Sequence, residues 1–233
     1  MGGFTGEGGL GEGSGHDALS QAKKGVVPVV QYPEGDYKAD STPMMLDLES
    51  RHEGRSIVPD NAAMAFMAHL LEDMADEYLP FPMFYFRWTD DAAWCGRRQM
   101  TGWNGPMDDA TLNSYAKNFS HRQQQQLGPM RDMPRELVLA NYHQFLDALE
   151  TMLAKRFFFF GSRPSLAEFG IYGQLSQYNV DPFVSTVMKE RAVRVFQWSQ
   201  FMDDLSGLPD GQWEAPEYCL SPELTGLLQS LAG

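Results

Sequence analysis

The sequence predicts a mainly α protein, a helical bundle preceded by a short and partial α/β segment. Three observations predict it. Beyond Pro59 apolar residues recur at the three–four spacing of buried helix faces. Ser165-Leu166-Ala167-Glu168 has the form of a capping box. Hairpin-like patterning with β-branched residues is confined to residues 26–39.

Residues 1–17 are rich in glycine and carry no apolar period, so they are expected to be a disordered leader. A short helix is expected over 18–24, stopped by Gly25. Residues 26–32 read as a strand with an edge proline, Pro33-Glu34-Gly35-Asp36 as its turn, and 37–39 as the returning strand. Asp40-Ser41-Thr42-Pro43 then opens a helix, a capping residue with proline in the first turn. Asn61 caps a helix whose buried stripe is Met64, Met67, Ala68, Leu71, Met74, Ala75 and Tyr78, with Glu72, Asp73, Asp76 and Glu77 on the other side. Pro80 and Pro82 interrupt it, and an aromatic helix is expected over 84–99, with a loop at 102–106. Helices follow over 108–126 and 132–155, the second with the stripe Leu137, Asn141, Phe145, Leu149 and Met152. The capping box starts the next helix, in which Gly170 and Gly173 permit a close neighbour. Asp181-Pro182 starts another, and 191–205 forms the last before a weakly patterned tail. The expected segments are 1–17, 18–56, 57–207 and 208–233.

At 233 residues with 43% hydrophobic content the chain can bury a substantial core. Its formal net charge of −13 opposes binding to phosphate backbones and anionic lipid, so neither nucleic acid nor membrane is an expected partner. Two cysteines make no disulfide framework and fit a reducing, cytoplasmic compartment. The run Phe157–Phe160 is too short to span a bilayer. Cys95 and Cys219 are expected to be buried and inert, the five histidines lack ligand spacing, and no metal site is expected.

Two strings and their order resemble the glutathione transferase superfamily. Val27-Pro28 followed by Asp40-Ser41 is similar to the place where that family's thioredoxin-like domain has a cis-proline, an edge hairpin and an acidic-Ser pair opening a helix. The segment from Gly161 to Phe169 is similar to the capping-box segment of its C-terminal domain, with Glu168 where Asp is usual. The resemblance covers residues 18–207. It implies a C-terminal-type helical bundle after a partial thioredoxin-like domain over 18–56, truncated at its first strand and helix. It also implies a glutathione site made of Val27, Pro28, Asp40 and Ser41. There the residue before the proline would offer its backbone to the cysteinyl part, and the helix N-terminus would hold the γ-glutamyl carboxylate.

The implied partners are glutathione as co-substrate, a small apolar electrophile and a second copy in a homodimer. The family places its thiolate-activating Tyr, Ser or Cys near the first strand–helix turn. Here the Gly-rich leader holds that place, so no catalytic residue is assigned. The alternative is a non-catalytic binding or assembly module of the same fold. The aromatic residues Phe81, Phe84, Tyr85, Phe86, Trp88, Trp94 and Trp103 are read as core or interface before they are read as an electrophile pocket.

Overall fold

The computed structural model describes residues 20–21 and 28–231. Ser20 and Gln21 are helical. The rest of the helix expected over 18–24, and the leader, lie outside the described residues. The architecture is mainly α, as the periodicity requires. Strands β1 (Val29–Gln31) and β2 (Tyr37–Ala39) precede α1 (Ser41–Arg51), α2 (Ala62–Tyr78), α3 (Pro80–Thr89), α4 (Ala92–Asn104) and α5 (Asp109–Gln126). Then come α6 (Arg135–Leu153), α7 (Leu166–Val180), α8 (Pro182–Arg191), α9 (Val193–Phe201) and α10 (Pro222–Leu231). No helix among them is long and apolar enough to cross a membrane.

The chain forms two compact units that interleave in sequence. One takes in the described residues up to Gly54 together with Ala92–Gln126, the other Arg55–Asp91 and the residues from Leu127 onward. In the first, β1 and β2 pair antiparallel with Val29 opposite Ala39 and Gln31 opposite Tyr37. Gly35, at φ 94°, supplies the left-handed position that closes the turn. Elsewhere in this unit, α4 and α5 bury Cys95, Gly96 and Met100, and Leu112, Ala116, Phe119 and Ser120. A Cβ on Gly96 would stand 2.9 Å from the Ala116 carbonyl oxygen, so this crossing requires glycine.

The single helix expected over 84–99 is divided. The amides of Asp90 and Asp91 both donate to the Phe86 carbonyl, at 3.0 and 3.1 Å, which ends α3, and α4 begins at Ala92. It then runs through Gly102, where a loop was expected, to Asn104.

The second unit is the helical bundle. Asn61 caps α2 as expected, its Oδ1 accepting from the amides of Ala63 and Met64. Met64, Ala68, Leu71 and Ala75 are buried, but so is Glu72, which the pattern placed on the outer face. The reason is α7. A Cβ on Gly170 would lie 2.8 Å from Glu72 Cγ and 3.3 Å from its Cα, so the two helices meet backbone to backbone there. Gly173 has no such role, since a Cβ there meets open space. The α6 stripe is also shifted from the expected one. Leu137 is 47% exposed, while Val138, Tyr142, Phe145, Leu146, Leu149 and Met152 are buried. Tyr142 can be buried because its hydroxyl donates to the Val184 carbonyl at 3.0 Å.

The tail is more ordered than its pattern suggested. Residues 212–214 bond to Phe160 and Ser162, and α10 buries Leu224, Leu227 and Leu231 against α6 and α2. Gly161 is obligatory at this junction, because a Cβ there would stand 2.1 Å from the Gln212 carbonyl oxygen.

The capping box forms and does more than close a helix end. Ser165 Oγ accepts from the Ala167 amide at 3.2 Å, and Glu168 Oε2 accepts from the Ser165 amide at 2.9 Å. Glu168 Oε1 accepts from the Phe159 amide, which ties the buried Phe158–Phe160 run to the start of α7. Glu168 is fully buried, and that desolvation raises its carboxyl from an ordinary 4.5 to about 7 against the pull of its donors.

Gly170→Ala is expected to destabilise the protein by about 1–3 kcal/mol through overpacking, whereas Gly173→Ala is neutral or stabilising by about 0.5–1 kcal/mol. Thermal or urea melts of the two variants compare them. Between pH 4.5 and about 7 the unfolded Glu168 has released its proton while the folded one retains it. Its contribution to stability is therefore full below 4.5 and is lost as pH rises through about 7, by about 3 kcal/mol in all. Stability measured across that range should lose this slope in Glu168→Gln.

Candidate functional site

Of the four residues that the resemblance implies, Val27 lies outside the described residues. The other three share one place. Because Val29 faces Ala39, continuing the register sets Pro28 across from Asp40 at the open end of the hairpin, with Ser41 as the first residue of α1. Pro28 is exposed and Asp40 and Ser41 are half-buried.

Asp40 stands at the N-cap of α1, yet its side chain makes no capping hydrogen bond. Its backbone is at φ 84°, ψ 120°, the one positive φ of a non-glycine residue among those described. A side chain with a Cβ holds this conformation at a cost of about 1–3 kcal/mol. The strained residue turns the chain from β2 into α1 within a single position, and the first-turn amides of α1 point out of the helix end as in any helix. Pro43 suits the third helical position, where an amide hydrogen would have no intrahelical acceptor.

The hairpin is braced on α1 by charge. The Tyr32 ring is buried between two cations, with Lys38 Nζ 4.7 Å and the Arg51 guanidinium 4.6 Å from its centre. Asp47 sits between the same cations, 2.7 Å from Lys38 Nζ and 2.9 Å from Arg51 Nε. The Lys38 ammonium holds the Asp47 carboxyl below its usual range. This brace involves β2, the residue after β1 and the middle and end of α1, so it fixes the angle at which α1 presents its N-terminus. Sequence reasoning missed it, although Asp47 and Arg51 stand at helical spacing.

A second polar constellation that the sequence left unread lies in the bundle. Asp181-Pro182 starts α8 as expected, with Asp181 at the N-cap, but the Asp181 side chain is fully buried and accepts from Arg87 Nε at 2.6 Å, while Arg87 reaches Gln177 at 3.3 Å. Asp91 bonds the start of α8 in its place, accepting from the Phe183 amide at 2.7 Å. Burial first, and then the nearby Asp181 and Asp90, raise the Asp91 carboxyl. Tyr85, Phe86 and Trp88 are buried in the bundle, where Phe86 packs on Phe183 at 4.7 Å between ring centres. Trp94 and Trp103 are partly exposed on α4.

A cleft of about 590 Å3 lies where α6 ends, among Lys155, Arg156, Tyr218 and Glu223. Its cations are already engaged, Arg156 with Glu214 at 2.7 Å and with the Tyr218 ring, Lys155 with Glu223.

Residues 132–201, which span α6 to α9 with the capping box between them, match the family model of the glutathione S-transferase C-terminal domain. That segment is similar to the glutathione S-transferase C-terminal domain. No curated protein and no solved structure matches this chain. The matched residues include the buried Glu168 and Asp181, while Arg87, the hairpin and α1 lie ahead of them.

Asp40→Gly is expected to raise stability by about 1 kcal/mol in denaturant melts, by relieving the positive-φ strain.

Proposed function

We propose that, as its resemblance to the glutathione S-transferases implies, this chain binds glutathione at the end of its hairpin, and that the γ-glutamyl carboxylate lies at the N-terminus of α1 against Ser41. The observation that carries this reading is the strained backbone of Asp40. A non-glycine residue held at φ 84° costs stability that an ordinary helix start would not. What it gains is a helix end whose amides and dipole favour an anion. Asp40 adds a carboxylate beside that anion, which suits a ligand whose α-carboxylate has an ammonium group next to it. By the same resemblance Val27, the residue before Pro28, would offer its backbone to the cysteinyl portion, as in addition of a short strand.

With the thiolate free, the further step would be attack on a small apolar electrophile, forming a carbon–sulfur bond as the leaving group departs. The second reading is a non-catalytic binding or assembly module. It is favoured by the sheet, which among the described residues is the hairpin alone, three residues to a strand. Such a sheet supports a binding edge better than it preorganises a reacting thiol.

Retention of the full chain on immobilised glutathione, with elution by free glutathione at millimolar levels, tests the site. Binding is expected, reduced about tenfold or more in Ser41→Ala with the melting behaviour unchanged. Absence of retention would sink the glutathione site. Turnover of an aryl halide with glutathione separates the transferase from the binding module.

A further inference from the structure

The cleft at the end of α6 carries two ion pairs, and they are exposed in opposite senses. In one, the carboxylate is the sheltered member. Glu223, in the first turn of α10, has a side chain only 13% exposed, while its partner Lys155 is 64% exposed. In the other, the cation is sheltered. Arg156 is 29% exposed and lies over the Tyr218 ring, 3.6 Å from its centre, while its partner Glu214, at 2.7 Å, is 44% exposed. Phe157 lines the same cleft, an exposed ring set edge-on against Phe201 at 4.4 Å between ring centres. All of these residues belong to the second compact unit.

The two sheltered charges are fixed by the fold, Glu223 by its helix and Arg156 by the ring beneath it. The two outer ones are mobile long side chains in exposed ion pairs, which contribute little, so exchanging them costs little. Lys155 and Glu214 thus occupy the places that an ammonium and a carboxylate from outside could take. We propose that this cleft binds a small zwitterion with an apolar side chain, an amino acid or a short peptide with free ends. Its carboxylate replaces Glu214 on Arg156, its ammonium replaces Lys155 on Glu223, and its apolar side chain lies on Phe157. A ligand of one sign would leave one sheltered group without a counter-ion, and an anion would also meet the field of a chain at −13. The cleft, about 590 Å3, falls within the range of about 300–1,000 Å3 for small-molecule sites. The inference is independent of the glutathione reading, which concerns residues of the other unit and a thiol that this ligand does not need.

Isothermal titration calorimetry of the full chain with glycyl-phenylalanine and with free phenylalanine tests the proposal. Saturable binding with a Kd of about 1 mM or tighter is expected. Binding of both probes supports an amino-acid ligand, binding of the dipeptide alone a peptide one. N-acetylation or amidation of the probe should each weaken binding about tenfold or more, as should Glu223→Gln and Arg156→Gln. Lys155→Ala and Glu214→Ala should instead tighten it about twofold or more, since each removes the resident competitor. Thermal melts verify that the variants fold, and the blocked probes on the unaltered chain decide the matter for any that do not. Absence of binding by both probes at about 10 mM overturns the proposal. So does binding that ignores the blocked ends, or binding that is lost in folded Lys155→Ala or Glu214→Ala.

Discussion

The bundle depends on one buried carboxylate. Glu168 is removed from water entirely, and the core around it is stable only because each of its oxygens accepts from a backbone amide. That arrangement joins two levels of structure. The bond to Ser165 closes the N-terminus of α7, while the bond to Phe159 fastens the loop that follows α6. Phe159 and Phe160 are thereby held in the core, each worth about 2–3 kcal/mol of burial. Glutamate, one methylene longer than aspartate, spans the distance from the helix to that loop. The cost is electrostatic, and it appears in the raised carboxyl.

The rest of the bundle follows from where α7 is set. Gly170 brings its backbone against α2, Tyr178 donates from its far end to the Leu79 carbonyl at 2.6 Å, and Asp181, just after it, holds Arg87. Two buried polar groups near the end of α7 are therefore satisfied by elements more than ninety positions away in sequence. A buried ion pair contributes little net stability, but it does fix register, since any slip leaves a charge unpaired in the interior. The tail completes the enclosure by bonding to Phe160 and Ser162, next in sequence to Phe159, whose amide Glu168 accepts.

The hairpin and α1 follow another logic. Their core is small, so their geometry is fixed by paired charge around Tyr32 and by strain at Asp40. A segment that tolerates a strained residue next to a helix end uses stability for shape. That is the usual arrangement of binding residues, and the bundle has no equivalent among the described residues.

Much of this was legible in the residues. The capping box, the Asn61 cap, the hairpin with its Gly35 turn and the helix after Pro43 are local devices, each specified by side chains a few positions apart, and the structure has them. The same holds for the resemblance carried by Gly161 to Phe169, which lies within the matched family segment. Periodicity was less reliable. It placed Glu72 outside and Leu137 inside, because a helical repeat names a face but not which neighbour covers it. It read through Asp90–Asp91, where both amides turn back to the Phe86 carbonyl and the Asp91 carboxylate bonds the start of α8, and it left α10 unread because three leucines become a core face only against α6 and α2. The sequence by itself determined most of the helices, the caps at Asn61 and Ser165 and the mainly α class, since these rest on bonds within a turn or two of each residue. Only the tertiary structure decided which charges are buried, which glycine is obligatory and how α1 presents its N-terminus, because each depends on groups that the chain brings together from far apart.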